Sequence, residues 1–191
     1  MEAFLVSSGV VAIAEIGDKT QLLALILAAR YRAPVPIILG ILAATVLNHT
    51  LAAWLGTLVA GWLGGESLRW GLGLSFLAMA AWALVPDKAD DGPRVFDNAG
   101  AFLATLFSFF LIEIGDKTQI ATVALAARFH DVALVAAGTT TGMLLADVPA
   151  VLAADFAGKR LPLRLIRLTA GAIFATLGVA TLLNAGGQLL G

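Results

Sequence analysis

The chain has 191 residues and a net charge of −1, and 60% of its residues are hydrophobic while only 13% are charged. A soluble domain is about half apolar and about a quarter charged, so this composition excludes an ordinary soluble protein and indicates an integral membrane protein. The charge balance offers no basic surface to nucleic acid. Cysteine is absent, which excludes disulfides, thiolate nucleophiles and soft metal ligands.

Six apolar segments follow one another, each near or above the ~20 residues that a helix needs to cross a bilayer. They cover residues 4–29, 35–62, 68–86, 99–127, 132–157 and 163–185. We expect the first segment to be retained, because no positive region precedes it and no clear cleavage site follows it. The sequence therefore predicts an all-α integral membrane protein with six transmembrane helices.

The second half of the chain repeats the first. The stretch Glu15–Gln21, EIGDKTQ, returns letter for letter at Glu113–Gln119, 98 positions later. At the same offset further residues are identical: Ala28 and Ala126, Arg30 and Arg128, Gly40 and Gly138, Gly73 and Gly171, Phe76 and Phe174. Because each half has three spans, an odd number, the second half enters the membrane from the opposite side. We expect an inverted repeat, with residues 1–86 and 99–191 as three-helix units and residues 87–98 as a hydrophilic linker.

Lys and Arg residues near the helix ends predict the orientation, because cytoplasmic loops carry an excess of them. One set of loops holds eight: Arg30, Arg32, Lys88, Arg94, Lys159, Arg160, Arg164 and Arg167. The opposite set holds Arg69 and Arg128. This asymmetry places the linker in the cytoplasm and both termini outside.

The repeated stretch carries two carboxylates and an ammonium inside an apolar run. On a continuous helix Glu15 and Asp18 would share a face, with Lys19 one turn beyond Glu15. Such charges cost roughly 2.5–3.5 kcal/mol each at a helix centre, so we expect both copies to face the bundle interior and to meet near the midplane. Gly17 and Gly115 predict that the first and fourth transmembrane helices are broken there.

The two copies together predict a site made only of oxygen ligands. Its carboxylates are Glu15, Asp18, Glu113 and Asp116, and the supporting polar residues are Thr20, Gln21, Thr118 and Gln119. Oxygen ligands suit hard divalent cations such as Mn²⁺, Ca²⁺ and Mg²⁺. Four carboxylates and two lysines sum to −2, which one divalent cation neutralises. Crowded carboxylates take up protons when the ion leaves, so the sequence predicts exchange of a metal ion for H⁺ or Na⁺.

Several polar and aromatic residues leave alternatives open. Lys19 and Lys117 are interpreted as counter-ions to the acids or as side chains that snorkel to an interface, and a purely structural reading makes Glu15–Lys19 and Glu113–Lys117 buried helix pairs. For Asp147 and its counterpart His49 two interpretations stay open: a proton relay or gate, or a role limited to local hydrogen bonds. Small residues in the spans predict close helix packing. Four tryptophans are assigned to membrane interfaces or packing faces: Trp54, Trp62, Trp70 and Trp82.

Both copies of Glu-Ile-Gly-Asp-Lys-Thr, at residues 15–20 and 113–118, match a known duplicated motif, Glu-x-Gly-Asp-Lys/Arg-Ser/Thr, without deviation. On these residues the chain resembles the GDT family of manganese and calcium exchangers, which has members in bacteria, chloroplasts and the Golgi. The resemblance covers the whole chain. It implies a bacterial inner-membrane protein that exports Mn²⁺, with Ca²⁺ as a further candidate, in exchange for H⁺ or Na⁺. It also implies that Glu15, Asp18, Glu113 and Asp116 are the ion ligands.

Two other functional classes stay open beside the transporter. Membrane-buried aspartates next to glycine, at Gly17-Asp18 and Gly115-Asp116, superficially resemble those of intramembrane aspartyl proteases, although those enzymes use two unlike motifs. A passive cation channel would carry the ion without a counter-ion. The preferred hypothesis is a transporter, not an enzyme, that works by alternating access with each motif lining the path from one side. This hypothesis predicts that the protein lies in the lipid bilayer and needs no cofactor besides the transported ion. It leaves open whether the protein forms a homo-oligomer.

Overall fold

The computed structural model describes residues 1–63, 65–85, 100–154 and 163–183, with side chains in the last range from residue 167 onward. These residues form eight α-helices and no strand, so the all-α prediction is confirmed for them. The predicted linker, residues 87–98, lies outside the described residues. The helices are α1 (Glu2–Glu15), α2 (Lys19–Tyr31), α3 (Pro34–Trp62), α4 (Gly65–Ala83), α5 (Ala101–Glu113), α6 (Lys117–Phe129), α7 (Val132–Leu152) and α8 (Leu163–Leu182).

The first predicted span is two helices joined by a short break. Helix α1 ends at Glu15, Ile16 is extended at φ −63° and ψ 115°, and Gly17 has a φ of +82°. A residue with a Cβ is disfavoured at that φ, whereas glycine adopts it readily. Asp18 then precedes the first turn of α2. The expected helical face shared by Glu15, Asp18 and Lys19 is therefore wrong, because the helix stops between the two acids.

The fourth predicted span breaks at the equivalent place. Helix α5 ends at Glu113, Ile114 has φ −64° and ψ 118°, and Gly115 has a φ of +79°. The break predicted beside each motif glycine is thus confirmed in both copies. The identical local sequence produces nearly the same backbone conformation in both copies. In each copy the glutamate is the last residue of one helix and the lysine is the first residue of the next.

The packing of the two halves is largely equivalent. Helix α1 lies along α7 and its counterpart α5 lies along α3, while α4 packs against α8 and α3 against α7. Glycines allow the close approaches: a Cβ on Gly138 would lie 2.6 Å from the Phe4 carbonyl oxygen, and one on Gly40 would lie 2.7 Å from the Thr105 Cβ. The prediction that small residues bring helices together is therefore confirmed at these equivalent positions.

Apolar and polar side chains are distributed as a bilayer requires. Large hydrophobic side chains are exposed along α3, among them Leu47, Leu51 and Trp54, while the motif acids are buried. Two described helices, α3 and α7, are long and apolar enough to cross a membrane by length and composition, and two shorter helical stretches, Ala101–Glu113 and Arg167–Leu182, are also apolar. The count of six spans and the inversion of the second half stay predictions.

The α4–α8 pair breaks the equivalence. Helix α4 contacts α6 and α8 contacts α1, whereas neither makes comparable contact with α2 or α5. The pair therefore covers the first break, where Ile16 and Gly17 are half-buried. Among the described residues it leaves the second break uncovered, where Ile114 is 56% exposed.

Candidate functional site

The two motifs meet inside the bundle through reciprocal ion pairs. The Lys19 Nζ lies 3.1 Å from the Asp116 Oδ1, and the Lys117 Nζ lies 3.5 Å from the Asp18 Oδ1. Each lysine thus neutralises the aspartate of the other copy. The structural alternative, in which Glu15–Lys19 and Glu113–Lys117 are buried helix pairs, requires a continuous helix. It is wrong, because a break separates the two residues of each pair.

Both motif glutamates are fully buried, and each receives one hydroxyl hydrogen bond. Thr20 donates to the Glu15 Oε2, and Thr118 donates to the Glu113 Oε2 at 3.3 Å. The hydroxyl comes from the first turn of the helix after the break, so the break itself brings donor and acceptor together. The second oxygen of each glutamate, Oε1, has no hydrogen-bond partner within the described part of the chain.

Three carboxylates converge on one point, and we call Glu15, Glu113 and Asp116 the carboxylate cluster. Each brings one oxygen within 4.8 Å of the other two. Oxygens on opposite sides of an ion with metal–oxygen bonds of about 2.1–2.6 Å are about 4–5 Å apart, so this spacing fits a hard divalent cation. Asp18, the fourth predicted ligand, does not belong to this group and lies beside Lys117 instead.

The two motif glutamines stabilise the breaks. The Gln21 Oε1 accepts a hydrogen bond from the Gly17 N–H at 2.8 Å, and the Gln119 Oε1 accepts one from the Gly115 N–H at 2.7 Å. The Gln21 amide also donates to the Ala146 carbonyl on α7 at 3.0 Å. The breaks expose backbone N–H groups that a continuous helix would pair, and the glutamines satisfy these two.

His49 and Asp147 flank the carboxylate cluster from α3 and α7. The His49 Nε2 lies 3.7 Å from the Glu113 Oε2, and Asp147 is close enough to interact electrostatically with Glu15 and Glu113. Both side chains are fully buried, and neither has a hydrogen-bond partner among the described residues. The structure therefore brings the predicted relay pair to the cluster, at a distance that leaves His49 short of a direct hydrogen bond.

The two lysines sit in different surroundings. The Lys117 side chain is 9% exposed and its Nζ lies 5.9 Å from the centre of the Trp82 ring, whereas the Lys19 side chain is 23% exposed. A recess of about 20 Å³, room for about one water molecule, adjoins Asp18 and Lys117. It is bounded by α4 and α8 through Ala83, Arg167, Ala170 and Phe174.

Sequence reasoning missed three buried hydroxyls and the place of one tryptophan. Ser7, Thr45 and Thr140 have buried hydroxyl oxygens without a hydrogen-bond partner in the described ranges. The sequence could have indicated them, because each is a polar residue inside an apolar segment and Thr45 lies one helical turn before His49. Trp82, assigned to an interface or packing face, lies over a motif lysine, and only the packing of α4 on α6 shows this.

The family model described as divalent cation/proton antiporter GDT1 matches residues 3–91 and 101–188. The chain belongs to the GDT1 family. The predicted resemblance is confirmed, and the family it names is one of cation antiporters, which are transporters. Residues 92–100, between the two matched segments, overlap the predicted linker.

Relatives in the GDT1 family cover nearly all of the chain. A Vibrio cholerae protein named "Putative manganese exporter" is 50% identical over 182 residues, which are 95% of this chain and 90% of that protein. A GDT1-like protein of Synechocystis is 27% identical over 95% of this chain and 97% of its own length. The chloroplastic PAM71-homolog of Arabidopsis thaliana is 27% identical over 93% of this chain, which spans 58% of that relative. No solved structure matches the chain.

Proposed function

We propose that the protein is a secondary active transporter that exports Mn²⁺ in exchange for H⁺ by alternating access. The observation that carries the proposal is the carboxylate cluster, in which three acids from both copies of the motif meet in the interior. Buried acids are costly in a membrane protein and default to a functional role. In this proposal Glu15, Glu113 and Asp116 bind the ion. Asp18, the equivalent of Asp116 in the first copy of the motif, also serves as an ion ligand.

Charge balance supports one divalent ion per cycle. The ion pairs Lys19–Asp116 and Lys117–Asp18 neutralise both aspartates, so Glu15 and Glu113 retain two negative charges. One divalent cation compensates these charges when bound. Without the cation, protons compensate them, because isolated ionised carboxylates are too costly to keep in the interior. The same two side chains thus exchange one ion for protons, and Asp147 adds a further carboxylate that can accept a proton.

The predicted inverted repeat is part of this proposal. Exchange of the two halves converts the α1–α7 contact into the α5–α3 contact and the α3–α6 contact into the α7–α2 contact, and all four occur. This equivalence supports a pseudo-two-fold axis, and three spans per half would place it in the membrane plane. Each motif then approaches the site from its own side. We keep the orientation with the linker in the cytoplasm and both termini outside, in a bacterial inner membrane; a C-terminal reporter that is active in the cytoplasm would contradict it.

The name of the Vibrio relative supports Mn²⁺, and the family description supports protons. Oxygen ligands alone also accept Ca²⁺, so Ca²⁺ and Na⁺ are included in the test. Purified protein in liposomes would be assayed for uptake of Mn²⁺, Ca²⁺ and Mg²⁺, with a dye inside that reports pH, and with and without gradients of H⁺ and Na⁺. We expect Mn²⁺ entry to drive proton exit.

The variants Glu15→Gln, Glu113→Gln and Asp116→Asn should abolish this coupled flux, because each removes a charged oxygen ligand. Glu66→Gln is the matched control, since Glu66 is an exposed acid on α4 whose side chain is 77% accessible. Absence of flux for every divalent ion would overturn the transporter. A metal current that persists without any counter-ion would instead identify a passive channel.

A further inference from the structure

We propose that Trp82 is a positioning residue for ion exchange: its ring holds Lys117, and Lys117 holds Asp18 outside the carboxylate cluster. Asp18 replaces Asp116 as an ion ligand only in the opposite access state, after this contact opens. The inference deepens the proposed function and rests on it, because it assigns the two motif aspartates to different steps of the same exchange.

The asymmetry between two equivalent aspartates carries the first step. Asp18 and Asp116 occupy the same position in two identical motifs, and each pairs with the lysine of the other copy. Nevertheless only Asp116 brings an oxygen to the cluster formed with Glu15 and Glu113. Because the local sequence and backbone of the motifs are alike, the difference must come from what surrounds them.

The surroundings differ on the side of α4 and α8. Trp82 lies over the Lys117 ammonium at 5.9 Å, within the range of a cation–π interaction. The residue 98 positions after Trp82 is Ala180, so the equivalent position of the second half carries no aromatic ring. The contact between Trp82 and Lys117 therefore favours the access state that this structure represents.

The recess beside Asp18 is small in this structure. It holds about 20 Å³ and is bounded by the ends of α1 and α4 and by Arg167, Ala170 and Phe174 of α8. The Lys19 side chain, by contrast, is 23% exposed on the uncovered side. The structure thus shows a recess beside Asp18 with room for about one water molecule, and in the proposed cycle release of Lys117 by Trp82 widens it.

The natural absence of cysteine allows a direct test of this opening. A single Ala170→Cys reporter in the recess would be labelled with a maleimide in Trp82→Leu, Trp82→Phe and the otherwise unchanged protein. Trp82→Leu, which loses the ring and keeps an apolar side chain, should label about two- to thirty-fold faster, the range for loss of one cation–π contact. Trp82→Phe retains a ring and should restore slow labelling, and Trp70→Leu on the same helix is the matched control.

A double-mutant cycle separates positioning from simple loosening of α4. If Trp82 acts through Lys117, Trp82→Leu should have no further effect on labelling in a Lys117→Gln background. Equal labelling of Trp82→Leu and the unchanged protein, or full additivity with Lys117→Gln, would overturn the proposal. If Trp82→Leu does not fold, Trp82→Met makes the same comparison, because it also removes the ring.

The two proposals fail in different ways. If the unchanged protein shows no coupled flux, the transporter proposal fails whatever the labelling rates are. If the flux is present and Trp82→Leu matches Trp70→Leu in both labelling and Mn²⁺ KM, only the role of Trp82 is contradicted.

Discussion

Lys19 and Asp116 belong to different copies of the repeated motif, yet their charged groups pair at 3.1 Å. The pair joins the start of α2 to the residue before α6, and Lys117 and Asp18 form the reciprocal pair at 3.5 Å. Each break is therefore held by a charge from the other half of the chain. A displacement of one motif therefore disturbs an ion pair of the other, and the proposed alternating access requires such a link between the two motifs.

The hydroxyls on the glutamates should matter for metal affinity. Thr20→Val and Thr118→Val keep the shape of the side chain and remove the hydrogen bond to Glu15 or Glu113. We expect Mn²⁺ binding to weaken by about 10–100-fold, as for other partners that orient a metal ligand. The measurement is the Mn²⁺-dependent rise in Tm of the purified protein. Thr57 is a half-buried threonine of α3 whose hydroxyl donates to the Trp54 carbonyl. Thr57→Val is the control and should leave the response unchanged.

The positive φ of Gly17 makes the first break sensitive to any side chain. Gly17→Ala should destabilise the protein by about 1–2 kcal/mol, the cost of a left-handed backbone for a residue with a Cβ, and should lower its Tm. Gly71→Ala on α4 is the matched control, because nothing lies within 4 Å of its added Cβ and its φ is not positive. A Gly17→Ala protein as stable as the control would contradict the strain argument.

Close packing of α1 on α7 should be lost when Gly138 is enlarged. The Cβ of Gly138→Ala would lie 2.6 Å from the Phe4 carbonyl oxygen and 2.9 Å from the Ser7 Cβ, so the helices must separate. We expect a loss of about 1–3 kcal/mol in the free energy of unfolding, as for other overpacked interiors. Thermal unfolding in detergent measures it, with Gly9→Ala on α1 as a control that meets no atom within 4 Å. Equal Tm values for the two variants would show that the interface can relax.

Proton competition predicts a pH dependence with a definite sign. In the proposed exchange, protons and Mn²⁺ bind the same oxygens of Glu15 and Glu113, so the Kd for Mn²⁺ should rise as pH falls and decrease as pH rises. If only the two glutamates exchange protons for the ion, the Kd should change by at most about a hundredfold for each pH unit, and a steeper change would mean that Asp147 also exchanges a proton. Calorimetric titration across a pH series measures this slope. A Kd that is independent of pH would mean that protons do not replace the ion at these acids.

The duplicated motif allowed much of the site to be predicted. Charges that are costly in an apolar segment must face the interior, and Gly17 and Gly115 supply the conformations that only glycine adopts readily, so the breaks and the meeting of the two copies could be expected. The same reasoning failed on the helical face of Glu15, Asp18 and Lys19, because it extended a periodic pattern across the break that it had itself indicated.

The pairing of these charges depended on packing that a single sequence does not reveal. Which lysine neutralises which aspartate and which aspartate reaches the carboxylate cluster depend on how the two halves of the chain meet. The placement of Trp82 over Lys117 depends on how α4 lies against α6. Local energetics determined that the motif residues are buried and where the helices stop, because these depend on neighbours in the chain. Only the tertiary structure decided their partners, because two identical motifs are distinguished by the helices that cover them.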